Sequence, residues 1–369
     1  MGLDRRADHL LDRQRPPPPA ARDVFRFIPA SELLAGLKAP EWHIRKYLES
    51  DSLGVLYGPP ETGKSFVTID WACCIATGKE WRGNRVKAGP VLVIIGEGRN
   101  GYARRLAAWA KANDTSLQDV PLHVSNMATQ LTDPIASVEL EAVVAEFART
   151  YGDPVLIVVD TLARNFGPGD ENSSRDMQAA IATCDLLRDA TKASVVLVHH
   201  VGKDASRGAR GSGALLGAVD CEYSVTRESD GLLRFESTKM KEAARPEPLA
   251  FRFESVDLGL VDDEGEPVTS AVLVDADPPA AEQAARGTGL GAAQRRILKT
   301  LQDEYARCRA NVLKDGRDPD CALVTVERWK ELLKADNHHR QVVSKAVKAL
   351  TDRGLVVIVE PHAILGGGA

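Results

Sequence analysis

Residues 53–77 read LGVLYGPPETGKSFVTIDWACCIAT, and no other stretch narrows the possible folds so far. Five residues without a charge are followed by a Gly/Pro loop and then by an apolar run long enough for a helix, which is the order strand, loop, helix. The loop has the spacing G-x-x-x-x-G-K-S over residues 58–65. Gly58 and Gly63 let the backbone curl so that successive N–H groups converge on one anion, and the helix N-terminus adds a positive dipole. An ordinary Gly/Pro turn has no reason to run through Lys-Ser into a helix behind a buried strand. Gly58, Pro59, Pro60, Glu61, Thr62, Gly63, Lys64 and Ser65 therefore form the candidate ATP-binding loop. Lys64 is suited to the β- and γ-phosphates, and the Ser65 hydroxyl is suited to Mg²⁺.

The alternation continues downstream. VLVII (91–95), LHV (122–124), PVLIVVD (154–160) and ASVVLVHH (193–200) read as strands, with helical stretches near 101–112, at SVELEAVVAEFART and over about 174–191. Near-continuous apolar strands belong to a sheet covered on both faces, so the expected fold class is α/β: a parallel or mixed P-loop sheet flanked by helices. Three strand ends carry chemistry. Asp160 closes PVLIVVD, where a carboxylate can hold Mg²⁺ together with Ser65; a turn or capping Asp is the plainer reading. Glu97 closes VLVIIGE and is expected beside the loop-bearing strand, where it can orient and deprotonate an attacking water. A solvated Glu in a Gly-rich turn is the alternative. His199 and His200 close the next strand, and one of them can sense the γ-phosphate. A strand-capping histidine is equally compatible, whereas a zinc site needs further ligands at set spacings, which the sequence does not supply.

After residue 218 the pattern becomes alternating. VDCEYSVTRE, GLLRFESTK and LAFRFESV are expected to be antiparallel strands added to the sheet. Residues 275–291, DADPPAAEQAARGTGLG, read as a linker, and residues 1–24, charged and containing PPPP, as a disordered tail. The implied division is a tail at 1–24, an ATPase domain at 25–274, a linker at 275–291 and a small domain at 292–369.

Charge separates the two ends of the chain. Residues 291–369 hold 14 Lys/Arg against 10 Asp/Glu, and residues 1–290 hold 33 against 42, within a total of −5. The whole chain is not a polyanion binder by bulk charge, but its C-terminal part is basic. There AAQRRILKTLQDEYARC places Ile297, Leu298, Leu301 and Tyr305 on a helical stripe. VTVERWKELLKA is a second helix, and NHHRQVVSKAVKALTDRG a third that leads into a strand. This order resembles a winged helix-turn-helix. Val343, Ala346, Val347 and Leu350 would face its core. Gln341, Ser344, Lys345 and Lys348 would face duplex DNA or, in a protein-docking module, a partner. The six cysteines form no C-x-x-C pair, and no apolar run reaches membrane-spanning length, so the expectation is a cytoplasmic protein with no membrane partner.

GPPETGKS, the strand-end Glu of VIIGEG, LIVVDTL, VLVHH and ARGSGAL together resemble the RecA-type P-loop ATPases, and among them the RepA-like hexameric replicative helicases of plasmids and phages, over roughly residues 40–260. The resemblance implies a homo-oligomer, hexameric in that family, with single-stranded DNA in the channel and ATP between subunits. It assigns Arg210, within the RGARGSG of residues 207–213, as the arginine a neighbour donates to the γ-phosphate. Lys203 and Arg207 of the same loop suit channel phosphates, with RNFGPGDENSSRD (164–176) as the partner loop, although its acids ill fit DNA. The basic C-terminal extension departs from the minimal RepA-like pattern, and residues 1–52 are too short for a primase-binding domain. Two other classes stay open. One is a DNA-binding ATPase, recombinase-like or loader, that does not unwind. The other is a regulatory DNA-binding module that keeps ATP as a structural ligand. A small-substrate kinase would carry an arginine-bearing lid that is not evident here.

Overall fold

The computed structural model describes residues 27–96, 98–200, 213–276, 292–318, 321–335 and 340–365. Glu97, Lys203, Arg207 and Arg210 lie outside the described residues, as do the tail expected at 1–24 and nearly all of the expected linker. The chain divides into residues 1–41 and residues 42–369. In the first unit, Pro29 precedes the short helix α1 (Ala30–Ala35), which has no buried residue.

The second unit opens with a small hairpin, β1 (Trp42–Ile44) and β2 (Leu48–Glu49), which the sequence reading missed. Then come β3 (Leu53–Gly58), α2 (Lys64–Thr77), β4 (Val91–Ile95), α3 (Arg99–Ala112), β5 (Leu122–Val124), α4 (Pro134–Tyr151), β6 (Leu156–Asp160), α5 (Leu162–Asn165), α6 (Ser174–Thr191) and β7 (Ser194–His200). Helix starts follow local chemistry. Asp133 accepts the Ile135 and Ala136 N–H groups ahead of α4, and Ser173 accepts that of Asp176 ahead of α6. The chain continues through α7 (Gly213–Ala218), β8 (Cys221–Arg227), β9 (Leu233–Met240), β10 (Leu249–Val261) and β11 (Pro267–Asp275).

These strands form one nine-stranded sheet in the order β5-β4-β6-β7-β3-β8-β9-β10-β11. β5 through β8 are mutually parallel, and β9, β10 and β11 are antiparallel additions. Two expectations change. β8 pairs parallel with β3, because α7 crosses over before it; an alternating pattern records one covered face, not strand direction. Also, β4 is not beside β3, since β7 and β6 lie between them, so the strand next to the loop-bearing strand carries His199 and His200.

Every residue of β3 is buried. Leu56 packs with Val158, Val198, Trp71 and Trp81 on the α2–α3 side, while Leu53 and Val55 pack with Val159, Leu197, Met177 and Leu187 on the α6 side. Such two-sided burial is what makes a strand read as an unbroken apolar run.

The C-terminal part holds α8 (Ala292–Lys314), β12 (Val324–Thr325), α9 (Val326–Ala335), α10 (Arg340–Asp352), β13 (Val356–Val359) and β14 (His362–Leu365), the three strands in the order β12-β14-β13. Ile297, Leu298, Leu301, Trp329, Leu333, Ala346 and Leu350 make its own core, which includes most of the stripes expected from spacing. Val343 and Val347 pack at its margin, and Ser344, Lys345 and Lys348 are exposed. Among the described residues, no helix is long and apolar enough to cross a membrane. Cys73, Cys74, Cys184 and Cys221 are buried free thiols; Cys308 is half-buried and Cys321 exposed.

Candidate nucleotide site

β3 ends in the loop and α2 begins at its last turn. Gly58 runs so close to β8 that a Cβ on it would lie 2.0 Å from the Val225 carbonyl oxygen. Gly63 has φ +90°, which only glycine adopts without strain, and a Cβ there would press on Leu233 and Phe253. β8 and the antiparallel strands β9 and β10 are thus the wall against which the loop is folded, a role their sequence did not announce. Thr62 Oγ1 donates to the Pro59 carbonyl at 2.9 Å and closes the loop on itself. Pro60 and Glu61 complete the curl, Glu61 at φ +62°.

Lys64 is buried, and its Nζ donates to the carbonyls of Gly58 (3.0 Å) and Pro59 (2.6 Å), so the ammonium is held against the loop rather than extended into solvent. Ser65 Oγ donates to Asp160 Oδ1 at 3.1 Å. Residues 95 positions apart therefore place a hydroxyl oxygen and a carboxylate oxygen side by side at the carboxyl edge of the sheet. That pair of hard oxygens fits Mg²⁺.

The histidines separate by parity. His199 pairs with Tyr57, is fully buried, and shares its sheet face with Val195 and Leu197 on the α6 side. His200 pairs with Gly58, is partly exposed, and shares the α2 side with Val196 and Val198. Only His200 is on the same side as the loop-bearing helix. Gly96, which precedes Glu97, donates its N–H to the Asp160 carbonyl at 2.8 Å, so the end of β4 is tied to the end of β6. In the 164–176 stretch, Asp176 accepts the Asp170 N–H and Asn165, fully buried, bonds Thr129 and Thr161. Asp176 there shapes the turn, and Asn165 fixes the chain that follows Asp160.

Sequence reasoning overlooked the contact between α2 and α3. Asp70 receives N–H groups from Trp81 (2.9 Å), Trp109 (2.7 Å) and Arg82 (2.8 Å). Arg82 continues to the Leu273 carbonyl and to Asp275 on β11. One turn nearer the loop, Arg105 lies over the Phe66 ring at 4.9 Å, and Phe66 meets Phe253 edge-on. The available signal was the single acid in VTIDWACC, a charge with no place on an otherwise apolar helix unless it is partnered.

The model of the AAA domain family matches residues 16–206. No curated protein matches the chain. Among solved structures, the ATPase domain of G40P matches with a TM-score of 0.43 and 12% identity, over 55% of this chain and 82% of that one.

Proposed function

The chain belongs to the AAA domain family, and from that premise we propose that it is a Mg²⁺-dependent ATP hydrolase acting on DNA, a ring-forming replicative helicase of the RepA-like plasmid or phage type. The observation that carries this reading is the Ser65–Asp160 pair beside a loop whose lysine is buried against it. Mg²⁺ there would neutralise charge that develops on the terminal phosphates. The residues of the chain do the rest. The loop N–H groups and Lys64 bind and align the phosphates, Ser65 and Asp160 hold the cation, Glu97 takes the proton of the attacking water, and His200 senses the γ-phosphate. Arg210 completes the site of a neighbouring subunit, and Lys203 and Arg207 contact single-stranded DNA in the channel.

The proposed organisation is an ATPase domain at 25–274, a linker at 275–291 and a winged-helix-like domain at 292–369 that binds duplex DNA through Gln341, Ser344, Lys345 and Lys348. Exposure of Ser344, Lys345 and Lys348 supports the last point. Buried free thiols agree with a cytoplasmic setting.

The test is ATP turnover with and without single-stranded DNA, with mass photometry in the presence and absence of nucleotide. Stimulation by DNA and a hexamer are expected. Lys64→Ala should abolish nucleotide binding, and Glu97→Gln should bind ATP but turn over far more slowly. A wild-type protein that binds no nucleotide ends the proposal. DNA-stimulated turnover without displacement of a paired strand selects the non-unwinding ATPase instead.

A further inference from the structure

Two stretches some forty residues apart meet as a short ladder. Ile44 of β1 bridges Val86 in antiparallel fashion. The Arg45 N–H donates to the Arg85 carbonyl and the Lys87 N–H to the His43 carbonyl, each at 3.0 Å. Ile44 is buried and Val86 half-buried, so this pair faces the core. The next pair, Arg45 and Arg85, then comes opposite on the outer face, and both residues are exposed. Like charges directly opposite on a ladder repel, and a carboxylate in place of either would be the stable choice. Yet among the described residues neither arginine has an ion-pair partner. Elsewhere Arg82, Arg188, Arg234 and Arg252 all meet carboxylates.

The pair has company. Lys46, in the turn of the β1–β2 hairpin, is exposed and likewise has no ion-pair partner among the described residues. It holds φ +71°, a backbone conformation in which glycine would be at ease and a long side chain is unusual. Trp42 is half-buried, and the Arg45 guanidinium lies 5.9 Å from its ring. Burial, and after it Glu242 and Asp220, raise the pKa of Glu49, so the acid in register with Trp42 faces other acids rather than these arginines. The hairpin leads straight into the start of β3, and residues 85–87 lie between α2 and the start of β4. The cations therefore gather at the amino ends of the parallel strands, whereas the phosphate loop, Asp160 and His200 are at the carboxyl ends. The six residues of β3, roughly 20 Å of strand, separate the two.

We propose that Trp42, Arg45, Lys46 and Arg85 form a further nucleic-acid surface, which binds the phosphate backbone of a single strand at the end of the sheet opposite the phosphate loop. Two guanidinium forks side by side match phosphate oxygens, and a bound phosphate relieves the repulsion between them. The indole beside Arg45 is what favours a single strand over an acidic peptide or a duplex, because an unpaired base can stack on it between the backbone contacts. This surface lies in a part of the chain whose overall charge is negative, so bulk charge does not account for it. Binding here needs neither nucleotide nor Mg²⁺, and the inference stands apart from the ATPase reading.

The experiment uses the full chain without nucleotide and compares wild type with the triple variant Arg45→Gln, Lys46→Gln, Arg85→Gln. Binding of a fluorescein-labelled oligo(dT) is followed by anisotropy over a series of salt concentrations. Contacts elsewhere on the chain contribute equally to both proteins, so the difference in slope belongs to the three cations. Loss of three backbone contacts should flatten the plot of log affinity against log salt by about two units, with affinity at low salt down several-fold or more. The triple variant should melt no lower than wild type, since it removes a repulsion and no partner. A strand carrying 5-iodouracil, irradiated with the wild type, should cross-link to the peptide that contains Trp42, and unlabelled oligo(dT) should compete. An unchanged salt slope in the triple variant overturns the inference, and so does the absence of a Trp42 cross-link. Competition by polyglutamate as effective as by oligo(dT) also overturns it, in favour of an acidic protein partner. Should the triple variant fail to fold, Arg45→Gln with Arg85→Gln supplies the same readings with a proportionately smaller change in slope.

Discussion

Trp109 donates its indole N–H to Asp70 across 2.7 Å, joining the helix that leaves the phosphate loop to the helix that follows β4. A buried carboxylate is costly unless its lone pairs are taken up, and here Trp81 and Arg82 take up the other oxygen. Removing the acid strands three donors at once. Asp70→Ala should therefore destabilise the protein by about 3–5 kcal/mol, the range for breaking a buried ionic cluster. Urea denaturation followed by tryptophan fluorescence reports it directly, since two of the partners are indoles. A loss under about 1 kcal/mol would show that the cluster is dispensable.

Gly58 offers a sharper steric test. With the Val225 carbonyl oxygen 2.0 Å from where a Cβ would sit, Gly58→Ala must push β3 away from β8. The expected outcome is a loss of roughly 1–3 kcal/mol in stability and a larger loss in nucleotide affinity, because the displaced backbone is the loop itself. Melting temperature and ADP titration on the same preparation separate the two effects. Gly98→Ala, where a Cβ meets nothing within 4 Å, serves as the control for glycine replacement.

Glu222, on β8 and only 4% exposed, predicts a dependence on pH. Burial raises its pKa above the ordinary 4.5, with partial relief from Lys239 and from the Tyr57 hydroxyl. An acid that holds its proton more tightly when folded stabilises fully below its unfolded pKa, and that contribution is lost as pH rises through the folded value. At neutral pH the charged form is thus a burden. Glu222→Gln should raise the melting temperature by about 2–4 °C at pH 8 and leave it nearly unchanged at pH 4. A gain that is the same at both pH values would trace to packing rather than to charge.

Arg210 is expected to act on a neighbouring subunit's nucleotide. Arg210→Ala alone and Lys64→Ala alone should both be inactive, but mixed rings contain interfaces with an intact loop facing an intact arginine. Turnover should reappear on mixing and peak near equal proportions. Confirmed mixed rings without any recovered turnover would exclude action in trans.

The residues legible in the sequence were those whose role is local. GPPETGKS announces a loop geometry, and the runs ending in Asp160 and His200 announce strands covered on both faces. Strand order was not legible: the neighbour of β3 is supplied by β7, some 140 residues away, and alternation in β8 carries no sign of direction. Asp70 was passed over because its meaning lies in what faces it. A lone acid in an apolar helix states that a partner exists, but Trp81, Arg82 and Trp109 are identified as that partner only once the turn and α3 are in place.

The position of β3 between β7 and β8 has a consequence for synthesis. Both rails that hold the phosphate loop come from residues 194–227, so the loop at 58–65 leaves the ribosome long before its seat exists. At common elongation rates of about 5–20 residues per second, roughly 8–35 seconds pass before Gly58 can meet Val225. Until residues 194–200 emerge, the apolar β3 segment has neither of its lateral partners. Pauses in synthesis between residues 58 and 194 would lengthen the exposure of that apolar segment, whereas pauses after 227 would not.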